Sequence, residues 1–200
     1  MAGIGGAIVT AAGMFAATNI DDAVVLATLN IAHRSGGAPP RTAIWTGQFI
    51  GMGLIVVVAL LAALGLSFVP LKWVGLLGVI PLARGIALLM IAIWRRDGEG
   101  DGPVLATGLG SVIAVTFANG GDNIALWTAA FRVMAPADTV VTIVVFAVAL
   151  ALWCTGAELL ISHHKLVKLL KAAGRWLVPA VLMVLGAYIV VRSGLLAGLV

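Results

Sequence analysis

ATNIDDAVV, residues 17–25, sets Asn19 and the adjacent aspartates Asp21 and Asp22 inside a long apolar stretch. Residues 1–20 carry no charge, and eight of the ten residues 23–32 are apolar. A helix ending at residue 20 would leave the acids at a membrane surface and follow them with an oddly apolar loop. A helix that breaks near residue 20 and resumes keeps them inside the apolar layer. An aspartate at the centre of a membrane helix costs on the order of 3 kcal/mol on insertion scales, so such residues mark function by default. The second reading accounts for both the acids and the apolar residues after them.

The composition agrees. The chain has 200 residues, 62% of them hydrophobic and 10% charged, with a mean hydropathy of +1.16. No soluble domain of this size hides that much apolar surface, so the fold class is an all-α integral membrane protein. The net charge of +4 does not point to nucleic acid, because most Lys and Arg lie between apolar segments. There they report membrane orientation. The single cysteine, Cys154, excludes an intrachain disulfide or a two-cysteine redox centre. Cys154 and Met14 read as packing residues. MAGIGGAIVTAAGMF at the N-terminus lacks the basic region of a signal peptide and reads as the start of a first span.

A bilayer core needs about 20 apolar residues per helix. Spans fit residues 42–69, 73–94, 139–161 and 176–191, with Arg84 and Glu158 the charges inside them. Two more spans, 4–32 and 104–131, are each interrupted near the middle, the second by Asp122-Asn123. Six transmembrane helices result. The turn SGGAPP, residues 35–40, and the linker RRDGEGDGP, residues 95–103, separate spans. The basic stretch HHKLVKLLKAAGR, residues 163–175, has apolar residues at helical spacing suited to lying along the membrane surface. Of the eleven Lys and Arg other than Arg84, eight fall on the side of these three connections. The positive-inside rule puts that side in the cytoplasm and both termini outside.

The broken spans resemble each other. AATNIDD and FANGGDN both contain N-x-x-D, matching Asn19 to Asn119 and Asp22 to Asp122. The third spans echo too, through Ile80-Pro81 with Gly85 and Val178-Pro179 with Gly186. Three spans is an odd number, so residues 1–94 and 104–200 would be two inverted three-helix repeats of one membrane domain, with helices 1 and 4 broken near the midplane. Inverted-repeat transporters place their sites at such breaks.

The residue types suit that role. Asn can cap a restarting helix, and Asp in its first turn meets the favourable end of the dipole. Gly120-Gly121 would let the backbone turn. Carboxylates and amide carbonyls are oxygen ligands for a cation. The plainer reading has the acids capping helices or pairing with Arg84. Glu158 reads either as a proton or ion relay or as an interfacial acid. Gln48, in GQFIG, reads as a supplementary ligand or an interhelical hydrogen-bonding group, with Gly47 and Gly51 allowing close packing. His163-His164 reads as an interfacial pair or a metal collector.

TNIDD, GQFIG, GLLGVIPL and ANGGDN together resemble the cadmium resistance transporter family of bacteria, within the lysine exporter superfamily. The resemblance implies an inner-membrane exporter of cadmium or other divalent metals, driven by an ion gradient. It implies Asn19, Asp21, Asp22, Asn119, Asp122 and Asn123 as site residues. No cofactor or enzymatic constellation is expected, and a homo-oligomer is compatible with the sequence. An exporter of an amino acid or other organic solute, and a cation channel, are the alternatives.

Overall fold

The computed structural model describes residues 4–68, 73, 75–94, 106–160 and 164–192. Among these no strand occurs. The helices are α1 (Ile4–Thr18), α2 (Ile20–Arg34), α3 (Arg41–Gly65), α4 (Val79–Trp94), α5 (Leu109–Asn119), α6 (Gly121–Val133), α7 (Pro136–Leu160) and α8 (His164–Arg192). Short 3-10 turns at Leu66–Phe68 and Gly75–Gly78 extend α3 and precede α4.

Both expected breaks occur. Between α1 and α2 the chain bends by 61°. The second break falls at Gly120, between α5 and α6. By length and apolarity, three helices among the described residues can cross a bilayer, at Arg41–Phe68, Leu76–Trp94 and Pro136–Leu159, and the bent α1–α2 pair makes a fourth. The fourth expected span starts later than the composition suggested. α5 begins at Leu109, and its 11 residues extend only about 16 Å. The basic stretch 163–175 is not a separate surface element. From His164 onward it forms the first turns of α8, which runs on to Arg192. Its Lys, Leu and Ala residues are good helix formers, so nothing there stops the helix. The linker 95–103 lies outside the described residues.

The turn between α2 and α3 is compact. Gly36 adopts φ 77°, a conformation that disfavours a side chain. Pro40 then precedes α3 in an extended conformation.

The packing has a pattern. α3 lies along α5 and α6, α7 lies along α1 and α2, and α4 packs on α8. Glycines let the backbones approach. A Cβ on Gly47 or Gly51 would fall 2.6 Å or 2.7 Å from Val112 or Thr116, respectively. At the crossing of α4 and α8, a Cβ on Gly78 would lie 2.7 Å from the carbonyl of Gly186. The core between the layers is aromatic and aliphatic. Phe15 meets Phe146 at 5.6 Å and Trp153 edge-on at 5.9 Å, and Trp127 meets Phe146 at 4.5 Å. Cys154 is buried in this core, and Met14 packs against it. Outward, Val140, Val144, Val148 and Leu152 form an exposed apolar stripe at four-residue spacing on α7. Such a stripe suits lipid, not water.

Candidate functional site

The two N-x-x-D motifs meet. Asn119 Nδ2 donates to Asp22 Oδ1 at 3.4 Å, and Asn123 Nδ2 donates to Asn19 Oδ1 at 3.2 Å. Residues about a hundred positions apart in sequence therefore share one polar cluster at the facing breaks. Asn19, Asp22, Asp122 and Asn123 are all at least nine-tenths buried, while Asn119 is half-buried. The side chain of Asp21 lies outside the described residues. So do the side chains of His163 and His164.

Asn19 does not cap α2 as its position suggested. It makes no side-chain capping bond there. Its Nδ2 donates backwards, to the carbonyl of Phe15 at 2.8 Å and to Thr18 Oγ1 at 3.0 Å. The amide thus serves the C-terminal end of α1, whose carbonyls need donors, and its oxygen is left to face Asn123. The backbone carbonyl of Asn19 accepts from Trp153 Nε1 at 2.9 Å, which ties the break to α7. Trp153 escaped the reading of the sequence. Its one signal was an indole N–H deep in an apolar span, a donor that requires a partner.

Gly120 also differs from expectation. It is the residue before α6, with φ −84° and ψ 15°, which any residue can adopt. What requires glycine is space, since a Cβ there would fall 2.1 Å from Ile55 Cδ1. Gly121 faces nothing within 4 Å.

Arg84 reaches into the cluster from α4. It donates to Asp122 Oδ1 at 2.6 Å, to the backbone carbonyl of Asn119 at 3.1 Å and to Asn119 Oδ1 at 3.2 Å. The plainer reading of Asp122, a partner for Arg84, is thus realised in part. Asp122 Oδ2 and Asn123 Oδ1 remain buried without a hydrogen-bond partner. Gln48 is fully buried, and neither atom of its amide has a partner. Its expected interhelical bond is not made, although Gly47 and Gly51 on either side pack as expected. Thr116 Oγ1, one turn before the second break, is likewise unpaired and buried. Among the described residues no three His, Cys, Asp or Glu side chains cluster as a metal group.

Glu158 is engaged in a separate cluster at the ends of α2, α3 and α7. Its carboxylate accepts from Arg41 through Nε at 2.7 Å and a second nitrogen at 2.9 Å. Trp45 Nε1 donates to it at 2.6 Å, and Arg34 donates to its backbone carbonyl at 3.0 Å.

No curated protein and no solved structure matches the chain. The cadmium resistance transporter family matches residues 15–200, which takes in both breaks, Arg84 and all the helices from the end of α1 onward. With its apolar, lipid-suited helices and its paired breaks, the chain is a multi-pass membrane protein and belongs to the cadmium resistance transporter family.

Proposed function

We propose that the protein is a secondary exporter of a divalent heavy-metal cation, cadmium foremost, and that the ion binds at the two facing breaks. The frame is six membrane spans in two inverted three-helix repeats, residues 1–94 and 104–200. The packing supports it. Exchanging the halves maps α3 on α5–α6 onto α7 on α1–α2, and returns α4 on α8 to itself. The cytoplasmic side is the one bearing Arg34 and Arg41, both termini face outward, and the location is the bacterial inner membrane.

One observation carries the site: Asp122 Oδ2 and Asn123 Oδ1 are buried, unpaired and adjacent in the first turn of α6. A buried acceptor left without a donor costs about 1–3 kcal/mol, so it calls for a ligand or a functional reason. Asn19, Asp22, Asn119, Asp122 and Asn123 offer oxygen donors from both halves, and Asp21 offers another by its place in the motif. Gln48 on α3 and Thr116 on α5 carry further buried polar atoms without partners. Cadmium is soft and prefers thiolate, whereas these ligands are oxygens. Oxygen ligands bind it weakly, and a carrier must release its ion. Manganese and calcium would suit the same ligands. The family resemblance supplies the coupling to an ion gradient, with Glu158 the candidate for a relay.

The test is cadmium tolerance of cells, with uptake into inverted vesicles, for Asp22→Asn and Asp122→Asn at matched membrane abundance. Both variants should lose export while remaining folded, because an amide is cheaper in lipid than a carboxylate. Normal tolerance in the double variant would end the aspartate site. A second reading, export of an amino acid, has Arg84 in its favour as a partner for a substrate carboxylate. Vesicles offered a panel of metals and amino acids separate the two.

A further inference from the structure

Arg84 makes the contacts a bound cation would make. Its acceptors include the Asp122 carboxylate, the Asn119 side-chain carbonyl and the Asn119 backbone carbonyl at the break. These three are oxygens, and all belong to residues of the proposed ligand set. The guanidinium also sits at the edge of the polar cluster. The Arg84 side chain is 33% exposed, against 1% for Asp122. The carboxylate is fixed in the first turn of a helix, whereas the arginine is on a long, flexible stem. The anchor of that stem is closely packed. Gly85, the next residue, is pressed against α8, where a Cβ would lie 2.9 Å from the carbonyl of Pro179.

We propose that Arg84 is a resident surrogate cation. In the metal-free protein it neutralises Asp122, so the empty carrier does not hold a bare carboxylate in the membrane. A divalent ion reaching Asp122 must displace the guanidinium, because two cations cannot share the carboxylate without strong repulsion. The displaced side chain swings toward the exposed side of the cluster. Arg84 thereby lowers metal affinity to a level that permits release, and it resets the site after each release. The inference rests on the metal site proposed above.

The experiment is equilibrium binding of Cd²⁺ to the full chain in lipid nanodiscs. The variants are Arg84→Gln, Arg84→Lys, Asp122→Asn and Arg84→Gln combined with Asp122→Asn. Arg84→Gln should bind cadmium at least tenfold more tightly than the wild type, while its vesicle transport slows. Arg84→Lys retains a charge but not the forked contacts, so a smaller tightening is expected, and it serves if Arg84→Gln does not fold. The double variant should bind no more tightly than Asp122→Asn alone, because the competition requires the carboxylate. A purely structural brace would not produce that dependence. If Asp122→Asn weakens binding but neither Arg84 variant tightens it, the surrogate role is overturned and the metal site stands. If Asp122→Asn leaves binding unchanged, the site itself is overturned, and the surrogate role with it.

Discussion

The adjacent glycines of GGDN make a sharp test of how the second break is built. Gly120→Ala and Gly121→Ala add the same methyl group one residue apart, both at negative or unrestricted φ. At Gly120 the new Cβ falls 2.1 Å from Ile55 Cδ1 and 2.8 Å from Cγ1. Neither distance is tolerable, so either Ile55 changes rotamer inside a packed core or α6 moves away from α3. Overpacking of this kind costs about 1–3 kcal/mol. At Gly121 nothing lies within 4 Å, and alanine has the better helix propensity by up to about 1 kcal/mol. One kcal/mol corresponds to roughly 2–4 °C in a chain of this length. Gly120→Ala should therefore lower the melting temperature of the purified protein by about 2–12 °C, while Gly121→Ala leaves it unchanged or raises it slightly. Ile55→Val removes the Cδ1 atom and costs about 0.5–1.5 kcal/mol by itself. Combined with Gly120→Ala it should restore part of the loss, a coupling that additive effects would not give. Export should fall with Gly120→Ala as well, because a displaced α6 carries Asp122 and Asn123 with it. The assay is thermal unfolding of detergent-purified protein, followed by the surviving monodisperse fraction. Equal melting of Gly120→Ala and the wild type, or an equal loss in Gly121→Ala, would refute the steric account of the break.

Three further outcomes are expected. Gly186→Ala should destabilise the α4–α8 crossing, because its Cβ would lie 2.6 Å from the carbonyl of Gly78 and from the amide of Leu82; both are backbone, so trimming a side chain should give no rescue, and a rescue by Leu82→Ala would contradict this. Glu158→Gln should cost little stability, since Arg41 is 63% exposed and water screens the pair, but as the candidate relay it should alter the pH dependence of vesicle uptake; an unaltered pH profile would leave Glu158 an interfacial acid. A cysteine introduced at Ser35 should resist labelling by an impermeant thiol reagent applied to intact cells, and efficient labelling would invert the orientation.

The class of the protein was legible in its sequence because apolar periodicity and charge spacing are local properties. The break points were legible as well. Acids and asparagine inside an apolar span are expensive, so their positions at Asn19–Asp22 and Asn119–Asn123 had to coincide with interruptions of regular helix. The motifs' mutual approach was implied by their repeat, and the family was carried by the same few residues. The start of α5 at Leu109 and the continuity of α8 through the basic stretch were not legible, since composition allowed either outcome. Nor could sequence choose a partner for each polar group. Asn19 was free to cap the helix after it or the one before it, and the neighbouring helices decided for the latter by offering Asn123 to its oxygen and Trp153 to its carbonyl. Gly120 looked like a residue of special dihedral angles, yet its need for glycine comes from Ile55, 65 positions away. Arg84 was one charge in an apolar span, with several possible answers. Only the packing of α4 against α8 and its approach to the second break set the guanidinium on Asp122. These are contacts between distant segments, and in a helical membrane protein distant segments meet through shape and small residues, which local sequence pattern does not encode.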